Sequence, residues 1–261
     1  MTPWIPRLLG IHLGVALVAL AVTGAFLAPS NDHLDSVGGS TLLLAEAGLG
    51  VWLITGCRLR PAAVLVLGLA PALALVAGPT ALGESANLAA VAAFLLIVPP
   101  GRDRNGAVDV SVASLRPALL VLRVGVGVAL IVLAFSEKFT NPAMATATLE
   151  KYPSLDVFGL VGIDLTPATF VVIAGAVELL FGLPVISGAF PQAVTLVALA
   201  PFNATLLLFG QTEMVGHLPV YGVFLALLVY GSDPRTCTTV RWLPTWASAG
   251  VRDPLGTRVV A

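Results

Sequence analysis

Eight apolar runs, each bounded by proline, glycine or charge, follow one another along this sequence, and that pattern leaves few folds open to it. They lie near Leu8 to Leu27, Ser40 to Thr55, Pro61 to Ala77 and Ala86 to Val98, then Ala118 to Phe135, Ala168 to Ile186, Ala193 to Phe209 and Pro219 to Tyr230. A helix rising 1.5 Å per residue needs roughly 20 apolar residues to cross a hydrocarbon core ~30 Å thick. Eight such helices take about 160 residues and leave short connections. Charged residues make up only 10% of the 261, against roughly 25% in soluble domains. The expectation is an all-α polytopic membrane protein with eight transmembrane helices and the lipid bilayer as its first partner.

The same composition excludes other classes. A net charge of -1 with no basic block argues against nucleic acid. Glycine and proline have no short period, and two cysteines are too few for a disulfide scaffold. With no Cys-x-x-Cys, no His-x-x-x-His and no glycine-rich phosphate loop, metal, haem and nucleotide have no support.

Cationic residues in short loops are retained on the cytoplasmic side. With the N-terminus inside, Arg7, Arg58, Arg60, Arg102, Arg104, Arg116, Arg235, Arg241, Arg252 and Arg258 all fall there, ten of the thirteen Lys and Arg. Lys138 and Lys151 lie outside, and Arg123 is within a span. Both termini are then cytoplasmic in a multi-pass protein of the cell membrane, with Trp4, Trp242 and Trp246 at an inner aromatic belt. Cys57 and Cys237 fall on that reducing side and are expected as free thiols. A signal peptide is the competing reading of the first run, which is too long for one.

An internal duplication is expected. Glu46, Gly50 and Gly56 recur as Glu178, Gly182 and Gly188 at one offset, 132. Leu69-Ala70-Pro71 recurs as Leu199-Ala200-Pro201, His12-Leu-Gly-Val as Arg123-Val-Gly-Val, and Gly83-Glu84 as Gly216-His217. The chain then divides into a first four-helix unit (1–108), a linker (109–115), a second unit (116–232) and a tail (233–261). Parallel repeats of this kind usually meet around an axis along the membrane normal, with sites near their interface.

Ionisable residues inside spans cost several kcal/mol or more unless paired or watered, so each is a functional candidate. Depths counted along the helices suggest an ion pair between Arg123 and Glu178 in the second unit, with His12 and Glu46 as its counterpart in the first. Such pairs either fix helix register or form a proton or quinone site, since a histidine beside a carboxylate can titrate near neutral pH. A second cluster, Glu137, Lys138, Glu213 and His217, lies toward the outside, with Glu84 at the position of His217 in the first unit. Lys138 and His217 could hold an anion there, and His217 with Glu213 could move protons. The loop from Thr140 to Asp164 exceeds a bare connector and points to a lid, a small surface helix or a docking site for a protein partner. Asn203 is expected to satisfy backbone groups freed by Pro201, and Gly10-x-x-x-Gly14 and Gly125-Val-Gly127 to mark close helix crossings.

Leu122-Arg123-Val-Gly125, then Ala134-Phe-Ser-Glu-Lys138-Phe139-Thr-Asn-Pro142, then Gly175-Ala-Val-Glu178-Leu-Leu-Phe-Gly182 with Gly188, resembles the DoxX and DoxD family of four-helix membrane proteins. The resemblance covers roughly Leu115 to Gly231; the first unit is only distantly similar, with His12 in place of the arginine and no lysine matching Lys138. It implies a membrane subunit of sulfur or thiol redox chemistry, of the thiosulfate:quinone oxidoreductase type, with Arg123, Glu178 and Lys138 at the family's polar positions. No redox cysteine or cofactor-ligand set is present, so electron transfer implies a partner or a bound quinone. Two other functions stay open: a small-solute or proton-coupled transporter with Glu46 and Glu178 as coupling sites, and a non-catalytic anchor or assembly factor, alone or as a homo-oligomer.

Overall fold

The computed structural model describes residues 2–28, 37–98, 108, 110–209 and 211–243, with backbone alone at 37, 208, 209 and 211–213. Every regular element among them is helical. The first half contains α1 (Ile5–Thr23), α2 (Val37–Thr55), α3 (Leu59–Gly68), α4 (Ala70–Ala77), α5 (Pro79–Glu84) and α6 (Ala86–Ile97). The second half opens with α7 (Val112–Leu133), which continues as a π-helical segment, Ala134–Phe139. After it come α8 (Pro142–Lys151), α9 (Val157–Leu160), α10 (Pro167–Ser187), α11 (Pro191–Phe209), α12 (Gln211–Ser232) and α13 (Cys237–Val240).

Six helical stretches are long and apolar enough to cross a membrane: Thr2–Thr23, Gly38–Thr55, Leu59–Ala77, Val112–Phe139, Pro167–Ser187 and Met214–Ser232. Ala86–Ile97 and Pro191–Leu207 are apolar but shorter. The chain is a polytopic helical membrane protein. Helix breaks have local causes. Pro71 lacks the N–H that would continue α3, so α4 begins around it. Gly24, Gly56 and Gly188 follow α1, α2 and α10 in the left-handed region, at φ of 80°, 76° and 69°. Ser111 caps α7 by accepting from the Ser114 N–H, so this helix starts at Val112, ahead of the Ala118 expected from hydropathy.

Contacts are arranged as a ring in each half. α1 packs on α2 and α6, and α3 joins α2 to α6; α7 packs on α10 and α12, and α11 joins α10 to α12. The halves meet where α1 lies on α12 and α6 lies on α7. The core therefore sits among α1, α6, α7 and α12. Leu9, Leu13, Leu17 and Leu20 line the buried stripe of α1, and α6 buries Leu88, Val91, Phe94 and Leu95, while α10 and α11 leave Leu180, Leu183, Leu196 and Leu207 exposed.

Lipid is as apolar as a leucine side chain, so close backbone approach has to hold neighbouring helices together. A Cβ added to Gly14 would lie 2.6 Å from the Gly50 carbonyl oxygen, and one on Gly50 would lie 2.7 Å from that of Gly14. Gly127 and Gly182 make the same reciprocal contact between α7 and α10, at 2.7 and 3.0 Å. Gly50 and Gly182 stand 132 residues apart, as the sequence comparison has them. Gly14 and Gly127 stand 113 apart, so the crossing sets His12 opposite Gly125, not opposite Arg123 as the short motif suggested. It also sets Ala25 opposite Lys138.

One end of the bundle, here termed basal, gathers the start of α1, the ends of α2, α6, α10 and α12, and the tail. The Val108 N–H donates to the Pro3 carbonyl and the Tyr230 hydroxyl to that of Thr2. The Arg60 Nε donates to Val98, and the Gln192 amide to Gly231. Arg102, Arg104, Asp109, Trp246, Arg252 and Arg258 lie outside the described residues.

Candidate functional site

Every Cα–Cβ bond in an α-helix tilts toward the helix N-terminus. α7 begins at the basal end, so Arg123 and Lys138 hang toward it. α10 runs the other way, so Glu178 rises toward the opposite, apical end. This rule decides the pairing, and depth alone misjudged it.

Arg123 is 1% exposed and does not meet Glu178. Its Nη1 donates to the Val240 carbonyl and its Nη2 to that of Trp242, 2.6 Å away. Gly188 makes the room: a side chain there would collide with the guanidinium. Glu178 lies ten residues up α10 from Gly188, roughly 15 Å at the helical rise. Arg7 repeats the arrangement in the first half, donating to the carbonyls of Leu53 and Ile54 with its guanidinium over Gly56. Both arginines thus satisfy carbonyls at a helix end or in the tail.

Glu178 instead meets Lys138, Oε1 to Nζ 2.8 Å, and the same ammonium bonds Glu137 at 3.2 Å. The π-helical turn inserts one extra residue per turn, closed by the Thr140 N–H donating to Phe135, and places Glu137 and Lys138 on this side. Lys138 and Glu178 are 16% and 32% exposed. The ammonium has three donors and two carboxylates use two of them. Glu178 Oε2 is buried and has no hydrogen-bond partner among the described residues. The ammonium thus stands between two carboxylates, where the sequence reading set Lys138 with His217 around an anion.

His217, on α12, lies within electrostatic reach of Lys138. Its ring meets Phe202 of α11 edge to face at 4.6 Å, and Phe202 also touches Tyr221 and Phe224 at 6.3 and 5.7 Å. Tyr221, one turn along from His217, has its hydroxyl buried without a partner among the described residues. The sequence reading missed Tyr221; its i+4 spacing from His217 was the available signal. Glu213 stands on α12, but its side chain lies outside the described part.

The expected pair of His12 with Glu46 does not form, for the same directional reason. His12 hangs toward the basal end, where Nδ1 bonds the Leu8 carbonyl at 2.8 Å and the ring covers Gly222 of α12. Glu46, 0% exposed, rises toward the apical end and accepts the Leu27 N–H at 3.1 Å. Asn203 donates to Leu199, whereas the carbonyl that Pro201 leaves open is that of Val197. The segment from Thr140 to Asp164 folds as small helices, α8 and α9 joined by a 3-10 turn at Pro153–Leu155, with Val157, Leu160, Val161 and Ile163 exposed. Both cysteines are free. No cluster of three metal-ligating side chains occurs among the described residues.

Comparison with protein-family models, with curated proteins and with solved structures gives no match.

Proposed function

We propose that this chain is a DoxX-like subunit of a membrane redox system, with a quinone head group bound at Lys138, Glu178 and Tyr221. The observation that carries the reading is the Lys138 ammonium held between Glu137 and Glu178, beside a buried Glu178 Oε2 that has no hydrogen-bond partner among the described residues. A buried polar atom without a partner costs about 1–3 kcal/mol, so these groups favour a ligand carrying oxygens on an otherwise apolar ring. Phe202 and the His217 ring supply aromatic edges for such a ring. When bound, a quinone supplies two-electron, two-proton chemistry. Lys138 would donate a hydrogen bond to a ring oxygen, and Glu178 Oε2 would accept or return a proton there. The electrons would have to come from a partner subunit, and the exposed apolar residues Val157 and Leu160 of α9 would offer it a docking face.

In this reading the two shorter helices, α6 and α11, complete eight crossings, and both termini lie in the cytoplasm under the positive-inside rule. The apical cluster then faces the outside of the cell membrane.

Titration of the purified protein in nanodiscs with short-chain benzoquinones and naphthoquinones tests the site. Lys138→Met and Glu178→Gln should each weaken binding by tenfold or more, about 1.4 kcal/mol. Absence of saturable binding by any of these quinones would overturn the reading.

A further inference from the structure

Glu46 has a setting in the first half that the redox reading does not use. After α1 the chain turns at Gly24 and re-enters the bundle: Ala25, Phe26, Leu27 and Ala28 are all buried, between 0% and 6% exposed. Irregular backbone at this depth requires its polar groups to be satisfied by protein. The Leu27 N–H donates to Glu46 Oε1, and the Leu27 carbonyl accepts from the Ser85 hydroxyl, each at 3.1 Å. Leu27 itself is in the left-handed region, φ 58°, a conformation a leucine holds only when its surroundings over-determine it. One carboxylate oxygen is explained by this clamp. The other, Oε2, is buried without a partner among the described residues.

The second half shows what that oxygen lacks. Glu46 and Glu178 each stand nine residues before the end of their helix, Thr55 and Ser187, and each helix is followed by a left-handed glycine. Glu178 has Lys138 for its counter-charge. The register of the glycine crossings puts Ala25 where Lys138 stands, 138 minus 113, and Phe26 where Phe139 stands. The first half thus keeps the carboxylate and has a methyl group in place of the ammonium.

Among the described residues, the other ionisable groups around α2 are directed elsewhere. Arg7 is bound at the basal carbonyls, His12 at Leu8, and Arg60 at Val98; Glu84, next to Ser85, is itself an acid and adds no positive charge. Cys57 lies past the basal end of α2 and is exposed.

We propose that Glu46 is an exchangeable binding site for a small monovalent cation, a proton or Na+, which takes the place that the tethered Lys138 ammonium fills in the second half. Re-entrant backbone beside a membrane-embedded carboxylate is the arrangement that broken helices use to hold such ions in transporters. The site is independent of the quinone site, so either can fail alone.

The test is infrared spectroscopy of the carboxyl groups together with thermal unfolding, on the full-length protein in nanodiscs. Glu46→Gln keeps an oxygen for the Leu27 N–H and removes the charge, and Ala25→Lys imports the tethered cation. If Na+ is the ligand, its addition raises the wild-type unfolding temperature saturably, and both variants abolish the rise. If the proton is the ligand, a protonated-carboxyl band present at neutral pH disappears in Glu46→Gln and Na+ has no effect. A carboxylate ionised at neutral pH and indifferent to Na+ overturns the proposal, whether or not Ala25→Lys folds.

Discussion

Lys138 and Glu178 meet at 2.8 Å because one hangs down from α7 and the other rises from the antiparallel α10. The same polarity turns Arg123 and His12 toward the basal end and Glu46 toward the apical end. Ionisable side chains in this bundle thus divide into arginines that hold carbonyls at the base and acids whose partners come from above. That division separates architecture from chemistry. Arg7 and Arg123 close helix ends, whereas Glu46 and Glu178 each keep one buried oxygen without a partner among the described residues.

Deleting one member of the Lys138–Glu178 pair leaves the other as an uncompensated charge in a mostly apolar setting. For a fully buried pair this costs about 3–5 kcal/mol; with Glu178 32% exposed and Glu137 still beside Lys138, about 1–3 kcal/mol is expected here. Lys138→Met and Glu178→Gln should each lower stability by that amount, and the double variant should lose less than the sum. A double-mutant cycle measured by unfolding in mixed micelles checks the coupling. Additive losses would show that the two residues do not share an interaction.

The sequence disclosed the helical membrane class and the close approaches at Gly14 and Gly127, because apolar run length and the spacing of small residues survive without coordinates. It hid the partners. Arg123 bonds carbonyls of Val240 and Trp242, more than a hundred residues away in a short segment with no hydropathy signal. Lys138 turns onto Glu178 through a π-helical segment that no side-chain periodicity announces. Glu46 is used by the peptide of Leu27, whose left-handed conformation is unusual for leucine and unreadable in a run of apolar residues. Counting residues along helices fixed depths; the direction in which side chains leave a helix had to be added.

Gly188 serves Arg123 twice, through a positive φ that other residues adopt at a cost and through the space a side chain would take. Gly188→Ala should therefore destabilise by about 1–3 kcal/mol and free the segment after α12. Limited proteolysis should cut near Val240 faster in Gly188→Ala and in Arg123→Gln than in the wild type. Equal cleavage rates would mean that Arg123 does not hold the tail.

The reciprocal crossings predict that Gly14→Ala and Gly127→Ala are both harmful although alanine favours helix. Each new methyl would lie within about 2.7 Å of a backbone oxygen on the facing helix, so the helices must separate. Overpacking of this sort costs about 1–3 kcal/mol. Gly48→Ala, on the same helix as Gly50 but with open space around it, should be neutral or slightly stabilising. Unfolding midpoints of the three variants, measured side by side, decide the matter.

At the basal end, Asp233 accepts from the Arg235 guanidinium at 3.0 and 3.2 Å and from its N–H at 2.9 Å. These bonds hold the Asp233 carboxyl below the usual carboxylate range. A carboxyl whose folded-state value is depressed adds stability above its unfolded value, about 3.9 for aspartate. That contribution is lost as pH falls through the lower folded value. The turn from Asp233 to Cys237 should then stay ordered down to pH values near 4 and loosen below them, with little change between pH 5 and 8. Amide exchange protection at Arg235, corrected for the intrinsic pH dependence, should follow that course. In Asp233→Asn the protection should be lower at neutral pH and flat across the acidic range.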